Sequence, residues 1–124
     1  MGLDVCLCVT GWGFRAGSYG GFNTWRTMLA QVVDIDLQEM NGYKDWGRVK
    51  GIEWTGNEPF YWLLDHSDCE GEIWDVEELY NDFAKYRDKA HEMWVGHDSF
   101  LEKYDKWMQL CKDANEQGGF IRFG

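Results

Sequence analysis

The acidic segment between residues 66 and 77 carries the residue types best suited to binding an ion. When this segment is laid against the twelve-residue calcium loop of the EF-hand, it begins at His66 and ends at Glu77, where that loop needs a bidentate carboxylate. Gly71 falls at the sixth position, where the backbone must turn with positive φ. Glu72 at the seventh position would offer its carbonyl, and Asp75 is assigned as the ninth-position ligand. The candidate metal ligands are His66, Asp68, Glu70, Glu72, Asp75 and Glu77.

Two departures from the EF-hand pattern leave the choice of ion open. The first position is His66 instead of Asp, and imidazole is a poor ligand for a hard cation such as calcium. Glu70 is one methylene longer than the usual Asp or Asn at the fifth position. The segment could bind calcium, or it could bind a softer metal through His66 and Cys69. It could also form an empty turn between two helices, in which Asp68 accepts hydrogen bonds from nearby backbone N–H groups.

A second group of candidate residues lies in the glycine-rich segment 11–26. Its aromatic rings could stack on a flat ligand, and its two arginines could pair with a phosphate or carboxylate, so a small nucleotide-like molecule would fit. The alternative is that these aromatics belong to the core, because a small domain with eight tryptophans must bury several of them. The candidate ligand-binding residues are Trp12, Phe14, Arg15, Tyr19, Trp25 and Arg26.

Catalysis would need a nucleophile and a base, and His66, Asp68 and Cys69 are the closest such set in the sequence. They could serve as base, orienting group and nucleophile of a small hydrolase. Neighbours in a tight loop point in different directions, however, and catalytic triads are usually assembled from distant segments. The sequence therefore favours a binding protein over an enzyme.

Length and composition restrict the class of protein. A chain of 124 residues is expected to form one domain, residues 1–124, with its own core. A formal net charge of −10 argues against direct binding to duplex nucleic acid. No apolar segment is long enough to span a membrane, and the N-terminus lacks the pattern of a signal peptide. The four cysteines lack the spacing of a disulfide-stapled secreted domain, which favours a reducing compartment and a cytoplasmic protein.

The two ends of the chain favour β-strands. Residues 3–10 are β-branched and apolar, which predicts a strand, and residues 120–123 alternate like an edge strand that could pair with it. The glycines of segment 11–21 indicate a loop. The predicted fold is an α+β, mostly helical single domain.

Apolar residues at helical spacing predict three longer helices. The first follows the loop 11–21, with Ser18 or Asn23 near its start. The second begins at a capping box formed by Asp75 and Glu78, and the third is capped by Ser99 and Glu102. Helices on both sides of the acidic segment would form an EF-hand-like helix–loop–helix at about 59–95. The predicted buried faces are Phe22, Trp25, Leu29 and Val32, then Val76, Leu79, Tyr80, Phe83, Ala90, Met93 and Trp94, then Phe100, Tyr104, Trp107, Met108 and Cys111.

Three segments carry a resemblance: Met1-Gly2-Leu3-Asp4, Gly20-Gly21-Phe22-Asn23 and Leu64-Asp65-His66-Ser67-Asp68-Cys69-Glu70-Gly71-Glu72. Together they resemble a family of small bacterial and bacteriophage proteins. The resemblance implies a cytoplasmic phage or prophage protein. It brings with it no established activity and no catalytic residues.

The main functional hypothesis is a non-enzymatic binding protein, encoded by a phage or prophage. It would engage a host protein, as an anti-defence inhibitor does, or sequester a small nucleotide-like ligand. Between Asp65 and Asp82 there are eight acidic residues and no Lys or Arg, a surface that could occupy a basic groove on another protein. The alternative is an EF-hand-like module that binds calcium or another metal, and the third hypothesis is the small hydrolase.

Overall fold

The computed structural model describes residues 2–7, 12–35, 55, 57–64 and 71–123. They form a mostly helical α+β domain with a small antiparallel sheet, as the sequence predicted. Within these residues no helix is both long enough and apolar enough to cross a membrane. The elements in chain order are β1 (Gly2–Leu7), β2 (Gly13–Ser18), α1 (Tyr19–Val32), α2 (Tyr61–Leu64), β3 (Gly71–Ile73), α3 (Val76–Met93), α4 (Asp98–Gln117) and β4 (Ile121–Phe123).

The sheet has the strand order β2-β1-β4-β3, and every neighbouring pair is antiparallel. The predicted pairing of the C-terminal strand with the N-terminal strand is confirmed, with Val5 opposite Phe123 and Leu7 opposite Ile121. The prediction that this strand is an edge strand is wrong, because β3 pairs with its other side. The short segment Gly71–Ile73, which the sequence assigned to an ion-binding loop, supplies that extra strand.

The centre of the predicted loop 11–21 is also a strand. Residues Gly13–Ser18 form β2, which runs antiparallel to β1 with Gly13 opposite Cys6. A side chain at Gly13 would collide with the backbone of Val5, so this glycine permits a close approach of two strands. The loop prediction failed because glycine content alone does not distinguish such an approach from an open turn.

Helices α3 and α4 form a hairpin joined by a short turn, and their predicted faces are largely confirmed. Met93, at the last turn of α3, is an exception because its side chain is exposed. Asp75 precedes α3 as predicted, yet its side chain makes no capping hydrogen bond. The cap predicted at Ser99 is wrong, because α4 already begins at Asp98. Gly118 ends α4 in the left-handed conformation, with a φ of 69°.

The hydrophobic core brings together residues of the sheet and of all four helices. Its centre is Trp107 on α4, whose side chain is fully buried. Phe14 meets the Trp107 ring edge-on at a centroid distance of 5.6 Å, and Trp25 stacks on it at 6.1 Å. Such pairs add to the energy of burying large rings, so β2 and α1 are held against α4 by aromatic contacts.

Candidate functional site

A cavity of about 580 Å³ lies between the N-terminal end of α3 and the C-terminal end of α4. The hairpin places these two helix ends side by side, although they are far apart in the sequence. We call this cavity the acidic cleft, because the described residues that line it include four carboxylate side chains and neither Lys nor Arg. The lining residues are Trp74, Asp75, Val76, Glu77, Glu78, Asn81, Asp82, Ala114, Asn115, Gly118 and Gly119.

The two helix ends contribute differently to the charge of the acidic cleft. Glu77 and Glu78 lie in the first turn of α3, where acidic side chains stabilise a helix by interacting with its dipole, whether or not a ligand is bound. On the opposite wall, the carbonyl of Ala114 accepts the N–H groups of Gly118 and Gly119, which closes the C-terminal end of α4. The partial negative charge of this helix C-terminus offsets the partial positive charge at the N-terminus of α3, so the carboxylates determine the sign of the potential. The cleft therefore favours a cation.

Asp82 is half-buried, whereas the other three carboxylates described in the cleft are exposed. Desolvation raises the pKa of Asp82, and the neighbouring Glu78 raises it further, while a backbone hydrogen bond and Lys85 act in the opposite direction. A raised pKa means that the charged form of this group is disfavoured in the folded protein. A carboxylate at this position therefore costs stability at neutral pH.

The backbone hydrogen bond to Asp82 comes from Phe60. The N–H of Phe60 donates to Oδ2 of Asp82 at 3.0 Å, and Phe60 has a φ of 59°, which is unusual for a bulky residue. The Phe60 ring is fully buried against Phe83 and Tyr104. Asp82 thus connects the acidic cleft to the segment that precedes α2.

Trp74 stands at the edge of the acidic cleft with 64% of its surface exposed. Its ring stacks on Phe120 at a centroid distance of 4.0 Å and an angle of 21°. Its Nε1 donates a hydrogen bond to Oε2 of Glu72 at 3.1 Å. One face of the indole is covered by Phe120, so the exposed area belongs mainly to the opposite face. Two contacts hold this ring in place while it stays open to solvent.

Three of the predicted metal ligands lie in the described part of the chain. Glu72 lies on β3, Asp75 precedes α3 and Glu77 lies in its first turn, and all three side chains are exposed. Counted from His66, the ninth position of the loop is Trp74, so Asp75 is one residue past the ninth ligand position. Among the described residues no group of three or more His, Cys, Asp or Glu side chains could hold a metal.

The first half of the predicted loop, with His66, Asp68 and Glu70, lies outside the described residues. The flanking helices are the four-residue α2 and the longer α3, and the second half of the loop forms β3. Metal binding therefore stays a prediction. The hydrolase hypothesis also stays untested, since His66, Asp68 and Cys69 all fall in that segment. In the described chain, Cys111 is fully buried, and desolvation raises the pKa of its thiol, which disfavours the nucleophilic thiolate.

The predicted ligand-binding residues of segment 11–26 do not share one open surface. Trp25 and Arg26 are buried: the Trp25 Nε1 donates to the carbonyl of Phe100 at 3.2 Å, and Nη2 of Arg26 donates to the carbonyl of Leu64. These contacts agree with the alternative that the sequence left open, in which this segment supplies core residues.

The remaining four members of that group are placed differently from one another. The Nε1 of Trp12 donates to Oδ2 of Asp113 at 3.1 Å, and Phe14 packs on the core ring of Trp107. Arg15 is exposed on β2. Tyr19 begins α1, and its side chain lies outside the described residues.

Comparison with protein-family models, with curated proteins and with solved structures finds no match for this chain. The resemblance to small phage proteins gains no support from these comparisons. Sequence reasoning located the acidic wall of the cleft but missed the wall formed by α4, because the residues of α4 and its end that line the cleft are neither charged nor aromatic: Ala114, Asn115, Gly118 and Gly119. One available signal for the site was Trp74, a large aromatic residue that lies between the acidic residues Glu72 and Asp75 at a predicted helix start.

Proposed function

We propose that this protein is a non-enzymatic binding protein that engages a basic segment of a partner protein through the acidic cleft. The observation that carries the proposal is the indole of Trp74, held open to solvent at the edge of a cleft lined by carboxylates. Large aromatic residues that anchor protein interfaces occupy such positions, where an apolar surface meets a polar rim.

Charge supports a basic partner. The chain has a formal net charge of −10, and four of its acidic side chains line the cleft, where the described residues include no Lys or Arg. Complementary potentials accelerate association and select against acidic partners. A bound cationic group would also offset the desolvation of Asp82, which the Phe60 hydrogen bond and Lys85 offset only in part. The resemblance to small phage proteins makes a host protein the expected source of that segment.

The test uses a synthetic peptide of alternating Arg and Gly residues and isothermal titration calorimetry. Wild type is compared with the double variant Glu77→Gln/Glu78→Gln and with a control double variant, Asp88→Asn/Glu92→Gln. All four residues are exposed on α3, and the two double variants remove the same charge. Only the first pair lines the cleft.

The proposal predicts that the cleft variant weakens binding about tenfold or more, while the control variant weakens it by about twofold or less. Equal weakening by both variants would mean that the peptide responds to the net charge of the protein and not to the cleft. Wild-type affinity in the cleft variant would contradict the proposal directly.

A further inference from the structure

We infer that the acidic cleft selects arginine over lysine, with the guanidinium of the partner stacked on the open face of Trp74. This inference rests on the proposed function and specifies the chemistry of the partner. It is carried by the arrangement of Trp74, Phe120 and Glu72, and not by the carboxylates of the cleft alone.

The first step of the argument is the shape of the site. Phe120 covers one face of the Trp74 ring in a nearly parallel stack, so the ring behaves as a fixed plate with one accessible face. A planar guanidinium can lie flat on such a face and make both stacking and cation–π contact. An ammonium group is a compact point charge that cannot stack in this way.

The second step is the electronic effect of Glu72. Its carboxylate accepts the hydrogen bond of the Trp74 indole N–H. A charged acceptor at this position draws the proton toward itself and pushes electron density into the ring, as hydrogen bonds in a chain polarise one another. The open face of Trp74 is therefore more negative than that of an isolated indole. Glu72 lies opposite Arg122 in the strand pairing of β3 with β4, yet Arg122 forms no ion pair with it within 4.0 Å.

The third step is hydration. An ammonium group is strongly hydrated, whereas a guanidinium is more weakly hydrated and gives up its water more readily when it is placed against an apolar surface. Around the Trp74 plate, Asp75 and Glu77 provide carboxylates on the lining of the same cleft. These carboxylates can accept hydrogen bonds from the N–H groups at the edge of a stacked guanidinium. Arginine favours a bidentate arrangement, in which two parallel N–H···O bonds reach one carboxylate.

The same charges disfavour a second copy of this chain as the occupant. Two chains that each carry a net charge of −10 repel each other. Like charges brought together in an interface oppose association. The partner must therefore supply the positive charge.

The test compares two peptides of equal length and charge, one alternating Arg and Gly and the other alternating Lys and Gly. Their affinities are measured by calorimetry for wild type, Trp74→Phe and Trp74→Leu. Circular dichroism and the midpoint of urea unfolding check that each variant is folded, which is expected because Trp74 is mostly exposed. Trp74→Phe keeps an aromatic face and loses the N–H that Glu72 polarises.

In wild type we expect the Arg peptide to bind about five- to tenfold more tightly than the Lys peptide. The ratio should fall to an intermediate value in Trp74→Phe and to about one in Trp74→Leu. Equal affinities for both peptides in wild type, or an unchanged ratio in Trp74→Leu, would overturn this inference and leave the proposed function standing. Failure of both peptides to bind wild type would overturn the proposed function and this inference with it.

Discussion

Two tryptophans of this molecule show how surroundings determine the role of a side chain. Trp107 is fully buried on α4, and rings from β2 and α1 pack around it. Trp74 is 64% exposed, packs against a single ring and lies among carboxylates. Trp107 contributes mainly to the free energy of unfolding. Trp74 leaves much of its apolar surface in water and contributes little to that free energy. A residue type alone therefore does not separate structure from recognition.

The largest expected effect is on the free energy of unfolding when the buried Trp107 is replaced. Trp107→Ala should lower the free energy of unfolding by about 3–5 kcal/mol, because it removes a large buried ring and leaves a cavity between α4, α1 and β2. Trp74→Ala should cost less than about 1 kcal/mol, because most of its surface is already in contact with water. Urea unfolding followed by circular dichroism measures both. Similar losses for the two variants would refute the distinction drawn between the two residues.

Asp82 lies at the boundary between the two regions. Asp82→Ala should cost about 1–3 kcal/mol, because it leaves the N–H of Phe60 without the acceptor that it has at 3.0 Å. Asp82→Asn should be at least as stable as wild type at neutral pH, because the amide oxygen can still accept that bond and the amide cannot ionise. The same urea experiment gives both values. If the alanine variant were as stable as the asparagine variant, the hydrogen bond would have no role in holding Phe60.

A smaller effect tests the packing of α3 against α4. The hydroxyl of Tyr104 donates to the carbonyl of Phe83 at 2.7 Å in the interior of the hairpin, and burial raises the pKa of this hydroxyl. Tyr104→Phe keeps the ring and removes one buried hydrogen bond, so we expect a loss of about 0.5–1.5 kcal/mol. Thermal unfolding monitored by circular dichroism should show a correspondingly modest decrease in Tm. A loss as large as that of Trp107→Ala would indicate that the hydroxyl organises more of the core than this bond.

The smallest effect is a pH dependence. Because burial raises the pKa of Asp82 above its ordinary value of 3.8, the folded state binds this proton more tightly than the unfolded state does. The resulting contribution to stability is complete at low pH and is lost as the pH rises from about 3.8 through the raised pKa. Asn cannot ionise, so the stability of Asp82→Asn relative to wild type should increase over this pH range. Above the raised pKa, the difference in free energy of unfolding between the two proteins should no longer change with pH. A difference that does not change with pH would show that the pKa of Asp82 is the same in both states.

The helices were predictable from the sequence because their buried faces depend on local spacing. Leu79, Phe83 and Ala90 recur at helical intervals and are all buried on α3. The strand β2 was not predictable, because Gly13 is explained only by a close approach to β1, which is a contact between separate segments. The pairing of β3 with β4 is also a contact between separate segments, so the sequence placed β4 at the edge of the sheet.

The candidate site was also predictable only in part from the sequence. The acidic residues 75–82 form one stretch of sequence and were singled out from it, whereas the wall at 114–119 reaches them only through the hairpin. The aromatics of segment 11–26 suited a ligand and a core equally well by composition. Contacts such as the Trp25 stack on Trp107 distinguish the two, and sequence spacing does not contain them.

The central claim is that Trp74, and not the core tryptophans, meets the partner. The most direct test is a two-dimensional ¹H–¹⁵N spectrum of the eight tryptophan indole N–H groups, recorded while the Arg–Gly peptide is added. The resonance of Trp74 is assigned as the one that disappears in Trp74→Phe. We predict that this resonance shifts progressively with the peptide while those of Trp25 and Trp107 stay in place. A stationary Trp74 resonance with shifts elsewhere would contradict the claim and place binding on another surface.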